Sequence, residues 1–340
     1  MQLLLTGETS TNRYVIDSKM WKALLLILIL CSCAAMQTKT LMFSAQPFSK
    51  NTRVFLVAGG EDNANFAQAI LDQKRIWLSR GISEDQISCY YALPLAKLIR
   101  YDLGQYRELT EALYACHPAN ADLVRSHVKQ VLEQNPEWIY LFVSSHGVPP
   151  LSILRKQAKD EKERKLLEDV FKALPLRERY RLVLASLPDG HSFSDLHLEK
   201  EAEKNKVLPE TLSFSRGQLF ETLKGHAKTR KVVVLQGCYS GGFLEGPGDG
   251  KTLKEVQNIT VMTASDEQHT SFGCSPRGDR TFFDESLSRS LEKKEIGRLP
   301  SEVDWQSLYK IVVKRVEKKE AKLRIREGSH PQYFSSGSKE

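Results

Sequence analysis

The chain has 340 residues, of which 41% are hydrophobic and 27% are charged, and its formal net charge is +7. This is the composition of an ordinary globular protein, long enough for one large domain or two small ones and for a core that supports an enzyme site. The basic residues near the C-terminus alternate with acidic ones, which indicates a solvated helix face and argues against a nucleic-acid-binding arm.

An apolar segment near the N-terminus has the layout of a secretory signal. Residues 24–30 form an unbroken apolar run that is too short for an ordinary membrane span, and small residues follow it. Residues 1–19 fit no part of a signal peptide, so we infer that translation starts at Met20. Residues 30–33 resemble a bacterial lipobox, with Cys33 as the residue to be lipidated.

These features predict an N-terminal extension with a signal or lipoprotein segment over residues 1–33, followed by a tether over residues 34–50. The protein is accordingly expected to be an exported lipoprotein of the bacterial envelope, attached to the membrane through its N-terminus. Simple secretion and an uncleaved anchor are the alternatives, as is an intracellular protein whose apolar N-terminus comes from a wrongly assigned start.

Apolar runs alternate with helical periodicities from residue 51 onward. The pattern predicts strands over residues 53–58, 86–92, 138–143, 181–187, 231–236 and 258–264. It predicts helices over residues 63–80, 120–134, 151–181, 215–226 and 303–323, with a polar loop over residues 189–210. This order favours an α/β fold whose mostly parallel sheet is covered by helices on both faces.

Two of the predicted strands end in a reactive side chain next to glycine. Residues 138–143 lead to His146 and Gly147, and residues 231–236 lead to Gly237 and Cys238. Ligands of open α/β sheets bind beyond the carboxyl ends of the strands, so two neighbouring strands would bring His146 and Cys238 together. An imidazole can take the proton of a thiol and make it a nucleophile.

Each of the two residues has an ordinary structural explanation. A cysteine beside a core strand is usually inert packing, and a histidine at a strand end is often a cap or a surface residue. Their occurrence together, at matching strand ends with adjacent glycines, favours a functional pair. We therefore predict a thiol nucleophile at Cys238 with His146 as its proton-transfer partner.

Several further segments carry a family resemblance. The apolar run before His146-Gly147, the later Gln236-Gly-Cys238, and the motif Cys238-Tyr-Ser-Gly-Gly-Phe243 resemble the signature of the legumain-like cysteine peptidases of the caspase and legumain clan, especially bacterial members. Residues 57–60, 81–87, 261–266, 270–274, 279–283 and 330–332 are similar to other segments of that family.

The resemblance implies a caspase-like domain over residues 51–335, with a charged insert over about residues 151–206. It implies a cysteine endopeptidase that acts on peptide or protein substrates through a thioester acyl-enzyme and needs no metal or other cofactor. By the same resemblance, Gly147 and Cys238 supply the N–H groups of an oxyanion hole. Gln236 and Asp279 are expected to line the pocket for the substrate residue before the cleaved bond.

Other interpretations of the sequence stay open. The family includes transamidases, which pass the acyl group to an amine, and a non-catalytic envelope protein could keep the fold as a binding scaffold. Cys89 and Cys116 could form a disulfide in an exported protein, which the sequence does not decide. Segments expected of a zinc site or an α/β-hydrolase nucleophile are not found.

Overall fold

The computed structural model describes residues 51–60, 63–92, 103–171, 179–184, 212–248, 250–274, 280–293 and 303–336. Cys33, the predicted tether, Asp279 and most of residues 172–211 lie outside the described residues. Within the part of the chain that the structure describes, no helix has the length and apolar character needed to cross a membrane.

A seven-stranded sheet forms the centre of the fold, in the order β10-β9-β8-β4-β1-β2-β3. Among the described residues, six of its strands are parallel and only the edge strand β10 is antiparallel to its neighbour β9. A smaller antiparallel sheet has the order β5-β6-β7. The strands are β1 (Thr52–Ala58), β2 (Ile87–Tyr91), β3 (His117–Pro118), β4 (Trp138–Ser144), β5 (Gly147–Val148), β6 (Arg181–Val183), β7 (Ser213–Ser215), β8 (Arg230–Gln236), β9 (Ile259–Thr263) and β10 (Gln332–Ser335).

Eight α-helices accompany the sheet among the described residues. They are α1 (Ala64–Ser79), α2 (Leu103–Ala112), α3 (Ala121–Glu133), α4 (Leu151–Gln157), α5 (Glu161–Phe171), α6 (Arg216–Leu223), α7 (Phe282–Leu291) and α8 (Trp305–Lys322). Short 3-10 turns occur at Glu84–Gln86, Ser240–Phe243 and Leu253–Glu255.

The large sheet is buried on both faces because successive side chains of a strand point to opposite sides. In β4, Tyr140 and Phe142 pack with α1, α7 and α8 in one core. Leu141 and Val143 belong to a second core, which contains the apolar faces of α3 and α6. The predicted α/β class, with a mostly parallel sheet covered on both faces, is therefore confirmed.

The sequence periodicities located most of these elements. All six predicted strands are present, and the helix predicted over residues 215–226 is α6, which begins with a capping box between Ser215 and Gln218. The helix predicted over residues 151–181 is wrong as one element. It is divided into α4 and α5, because Ala158 is extended and Asp160 caps the N–H of Glu163.

Some large apolar side chains of the predicted helices are exposed. Leu123 in α3 and Leu166 in α5 keep 41% and 62% of their surface accessible. Helices α2 and α7 and strands β3, β5, β7 and β10 had no counterpart in the sequence prediction. Strand β10 lies beyond the last predicted element, because a four-residue edge strand buries too few side chains to give an apolar run.

A disulfide joins Cys89 in β2 to Cys116, which directly precedes β3. It closes the chain over a separation of 27 residues at the edge of the large sheet. Cys238 and Cys274, by contrast, are free thiols. The pairing that the sequence left undecided is thus present.

Candidate active site

His146 and Cys238 follow neighbouring parallel strands at equivalent positions. Strands β4 and β8 pair in a register that sets Ser144 opposite Gln236, the last residue of each strand. His146 and Cys238 each come two residues later, and the N–H of Ser145 still donates to the carbonyl of Gln236 at 2.9 Å. The fold therefore brings both residues to the carboxyl edge of the sheet, where the sequence predicted them.

The imidazole of His146 is positioned by an aromatic contact. Its ring meets that of the fully buried Phe66 in α1 edge-on, with centroids 4.9 Å apart and planes at 90°. Gly60 leaves space for this pair, since a Cβ there would come within 3.0 Å of both rings. The carbonyl of His146 also accepts the N–H of Val183 at 2.9 Å, which ties the backbone to β6.

Gly147 lies in direct backbone contact with Cys238. A Cβ at position 147 would be 1.7 Å from the carbonyl oxygen of Cys238 and 2.9 Å from its nitrogen. Only a residue without a side chain allows this approach. The glycine in the His-Gly motif is therefore required by packing against the cysteine, whatever else it does.

The Cys238 side chain is partly exposed, and a loop after β9 borders it. Its Sγ lies 3.8 Å from the carbonyl oxygen of Ser271. The next residue, Tyr239, has a left-handed backbone (φ 58°), and its N–H donates to the carbonyl of His269 at 2.9 Å. These bonds hold the nucleophile candidate at a sharp turn between β8 and the 3-10 turn that follows.

Gln236 is fully buried beneath this edge and belongs to a polar cluster on the α7 face of the sheet. Its Oε1 accepts from Ser144 Oγ at 3.0 Å, and its Nε2 lies 3.4 Å from Ser271 Oγ. Ser144 Oγ is also 3.0 Å from a carboxylate oxygen of Asp284 in α7. Burial is the main cause that raises the pKa of Asp284 to about 7, against hydrogen bonds from Thr281 and Ser144 that lower it.

The second free thiol, Cys274, faces the same cluster. Burial is the largest cause that raises the pKa of Cys274 well above its ordinary value, and the proximity of Cys238 and Asp284 adds to it. Hydrogen bonds with Gln236 and Ser271 act in the opposite direction. Cys274 is thus a protonated thiol at physiological pH, which suits a structural role better than a nucleophilic one.

A buried arginine supports the segment after Cys238. The guanidinium of Arg216, the first residue of α6, donates to the carbonyls of Gly242 at 3.1 Å, Glu245 at 3.3 Å and Gly246 at 2.8 Å. It also lies over the ring of Tyr180, 5.9 Å from the centroid. The arginine stabilises this turn because buried carbonyls need donors.

Sequence reasoning located His146, Gly147, Gln236 and Cys238 but missed Ser144, Ser271, Asp284 and Arg216. Only Ser144 carried a signal, as a polar residue at the end of an apolar strand. The roles expected for Gly147 and Gln236 stay predictions. Among the described residues, no group of three or more His, Cys, Asp or Glu side chains is arranged to hold a metal ion.

The protein thus has an α/β fold in which a histidine and a cysteine follow the carboxyl ends of two adjacent parallel strands. Residues 202–334 match the family model described as Peptidase C13 family. The chain therefore resembles the legumain-like family of cysteine peptidases, as its motifs predicted.

The comparison with solved structures includes caspase-1 from Spodoptera frugiperda. That structure is 12% identical in sequence to this chain, the match covers 84% of this chain and 86% of that one, and the TM-score is 0.41. No curated protein matches the sequence.

Proposed function

We propose that the protein is a cysteine endopeptidase in which Cys238 is the nucleophile and His146 the general acid and base. The observation that carries the proposal is the pairing of β4 with β8, which puts both residues two positions beyond opposed strand ends. The match of residues 202–334 to the Peptidase C13 family supports the same chemistry.

The reaction follows from the properties of the two groups. The thiolate of Cys238 attacks the carbonyl carbon of the peptide bond, and the resulting oxyanion is held by the N–H groups of Gly147 and Cys238. His146 gives a proton to the departing amine, which leaves a thioester between substrate and Cys238. It then takes a proton from water, whose attack releases the acid and restores the thiol.

Turnover of a diverse fluorogenic peptide library by the purified full chain under reducing conditions tests this proposal. The Cys238→Ala and His146→Ala variants are expected to lose turnover by several orders of magnitude. Cys274→Ala is the matched control, because it removes the other thiol that is free among the described residues and should stay active. Turnover that survives Cys238→Ala would overturn the assignment.

The alternatives give different results in the same assay. A transamidase would form amide products when an amine such as hydroxylamine is added, at the expense of hydrolysis. A binding scaffold would turn over no peptide, and its Cys238 would react with a thiol-directed electrophile no faster in the native protein than in urea.

We also propose that the protein is exported and lipidated at Cys33. The Cys89–Cys116 disulfide supports the first part, because structural disulfides persist mainly in oxidising compartments. Cell fractionation tests the location. Loss of membrane attachment in Cys33→Ala, with Cys31→Ala as the matched control, tests lipidation.

A further inference from the structure

A buried carboxylic acid begins a row of polar side chains that ends at Ser271, whose backbone carbonyl lies beside Cys238. Asp284, which is 1% exposed, has its Oδ2 2.8 Å from Thr281 Oγ1 and 3.0 Å from Ser144 Oγ. Within the described part of the chain, its other oxygen has no hydrogen-bond partner. Because the acid is buried, its charge depends on the few groups that face it.

The row continues through the end of two adjacent strands. Ser144 Oγ is 3.0 Å from Gln236 Oε1, and Gln236 Nε2 is 3.4 Å from Ser271 Oγ. Ser271 then presents its carbonyl to Cys238 Sγ at 3.8 Å. Four side chains therefore connect α7 with the loop that borders the nucleophile candidate.

The hydrogen bonds between these side chains can run in either of two directions, depending on which group is the donor. Ser144 has one hydroxyl proton but lies 3.0 Å from two acceptors, Asp284 Oδ2 and Gln236 Oε1. When Asp284 is neutral, its proton is donated to Ser144, which donates to Gln236 Oε1. The amide then donates to Ser271, which is the orientation in this structure.

Ionisation of Asp284 reverses the donor and acceptor roles in these hydrogen bonds. The carboxylate takes the Ser144 proton, and two lone pairs would then face each other between Ser144 Oγ and Gln236 Oε1. A half-turn of the Gln236 amide removes this repulsion, because Nε2 then donates to Ser144 and Oε1 accepts the Ser271 hydroxyl proton. The Ser271 hydroxyl thus changes from acceptor to donor on the residue whose backbone carbonyl lies 3.8 Å from Cys238 Sγ.

We propose that Asp284 is a positioning residue whose gain or loss of one proton reverses the hydrogen bonds through Ser144 and Gln236 and reorients the hydroxyl of Ser271, the residue whose backbone carbonyl lies beside Cys238. The inference rests on the proposed role of Cys238 and deepens it. It assigns Asp284 no contact with substrate.

The charges around Asp284 place the reversal near neutral pH. Burial is the main cause that raises the pKa of Asp284 to about 7, Asp72 adds to the increase and Arg280 opposes it. Two further titratable groups face Asp284, namely Tyr140 from β4 and Cys274 from the loop after β9. Burial raises the pKa of both groups, so they stay neutral while Asp284 titrates.

Asp284 also has a plain structural role at the start of α7, because the N-cap Thr281 accepts its N–H at 3.1 Å and donates its hydroxyl to Asp284 Oδ2 at 2.8 Å. A residue that only capped the helix would affect stability but not the pH dependence at Cys238. The pH profile therefore separates the two roles.

The experiment compares wild type with Asp284→Asn, whose amide is a permanent donor to Ser144 and imitates the neutral acid. Two rates are measured from pH 5.5 to 8.5, namely alkylation of Cys238 by iodoacetamide and turnover of the best fluorogenic peptide. Glu285→Gln is the matched control, since this neighbour in α7 pairs with Lys319 and Arg289.

With a midpoint near 7, about nine in ten Asp284 side chains are neutral at pH 6 and about one in ten at pH 8. We expect the Asn-to-wild-type rate ratio to change by several-fold, up to about tenfold, between these values, and the ratio for Glu285→Gln to stay constant. A change of less than about twofold in the Asn ratio overturns the inference.

A second variant and a second readout keep the inference testable if Asp284→Asn or the peptide assay fails. If Asp284→Asn does not fold, Ser144→Ala interrupts the row while keeping Asp284, and a wild-type pH profile in that variant overturns the inference equally. If wild type cleaves no peptide, the peptidase proposal fails, but alkylation of Cys238 still decides the role of Asp284.

Discussion

Replacing Gly147 by alanine should inactivate the proposed peptidase without unfolding it. The added Cβ would lie 1.7 Å from the carbonyl oxygen of Cys238, whereas ordinary contacts begin at 3.4 Å. The two backbones must therefore separate by about 1.7 Å, the difference between these values. A misplacement of about 1 Å between reacting groups can reduce the rate by about 100-fold, so we expect kcat/KM to fall at least that far.

The assay is kcat/KM on the best fluorogenic peptide, together with thermal unfolding followed by circular dichroism. Gly225→Ala is the matched control, because a Cβ there meets nothing within 4 Å. Its backbone is left-handed (φ 84°), so the control should lose about 1 kcal/mol of stability and keep its activity.

The result that refutes this reasoning is a folded Gly147→Ala protein whose kcat/KM stays within about threefold of wild type. The approach of Gly147 to Cys238 would then not control the geometry of the reacting groups. Loss of both activity and folding would show instead that the contact is needed for the fold, and Gly147→Ala would then carry no information on catalysis.

Three further predictions concern stability. Cys116→Ser removes the disulfide to Cys89, which closes a separation of 27 residues, and should lower the unfolding free energy measured in urea by about 3–4 kcal/mol; an unchanged value would show that the bond does not form. Arg216→Ala leaves three carbonyls after Cys238 without their donor and should cost about 3–5 kcal/mol, whereas Arg216→Lys should retain part of this; equal losses in both would contradict the hydrogen-bond argument. The pKa of Asp284 is raised in the folded protein from 3.8 to about 7, so the native state binds more protons than the unfolded state between these values, and the stabilisation present below pH 4 is lost as the pH rises through 7. Wild type should therefore lose stability relative to Asp284→Asn over that interval in urea titrations, and parallel pH curves would show that the acid is not buried as described.

The elements with strong periodicity were predictable from the sequence, and the weakly patterned ones were not. Strands β1, β4 and β8 are apolar on both faces because helices cover both, and such runs are visible without structural information. Helix α7 escaped prediction because serines and charges interrupt its apolar positions, Phe283, Leu287 and Leu291. Helix α7 is stabilised by packing against α1 and α8, and its own sequence does not indicate this packing.

At the candidate site, prediction succeeded where a residue is next to its strand in the sequence. His146 and Cys238 come directly after β4 and β8, so knowing the strands located them. Arg216 was not predictable, because its three carbonyl partners lie between positions 242 and 246 and are reached only through the fold. A basic residue at the start of a helix would ordinarily be placed in solvent.

Ser144 and Gln236 show how strand register makes a buried polar cluster that no single segment specifies. Both are the last residues of otherwise apolar strands, and each alone would be expected to turn toward water. The register sets them opposite each other on the face that α7 covers, where Asp284 meets them. Buried polar groups stabilise a fold only when they are paired, so these three residues depend on one another. Two polar residues that end adjacent buried strands are therefore a sequence signal in themselves, because they predict a third polar group on the covering helix.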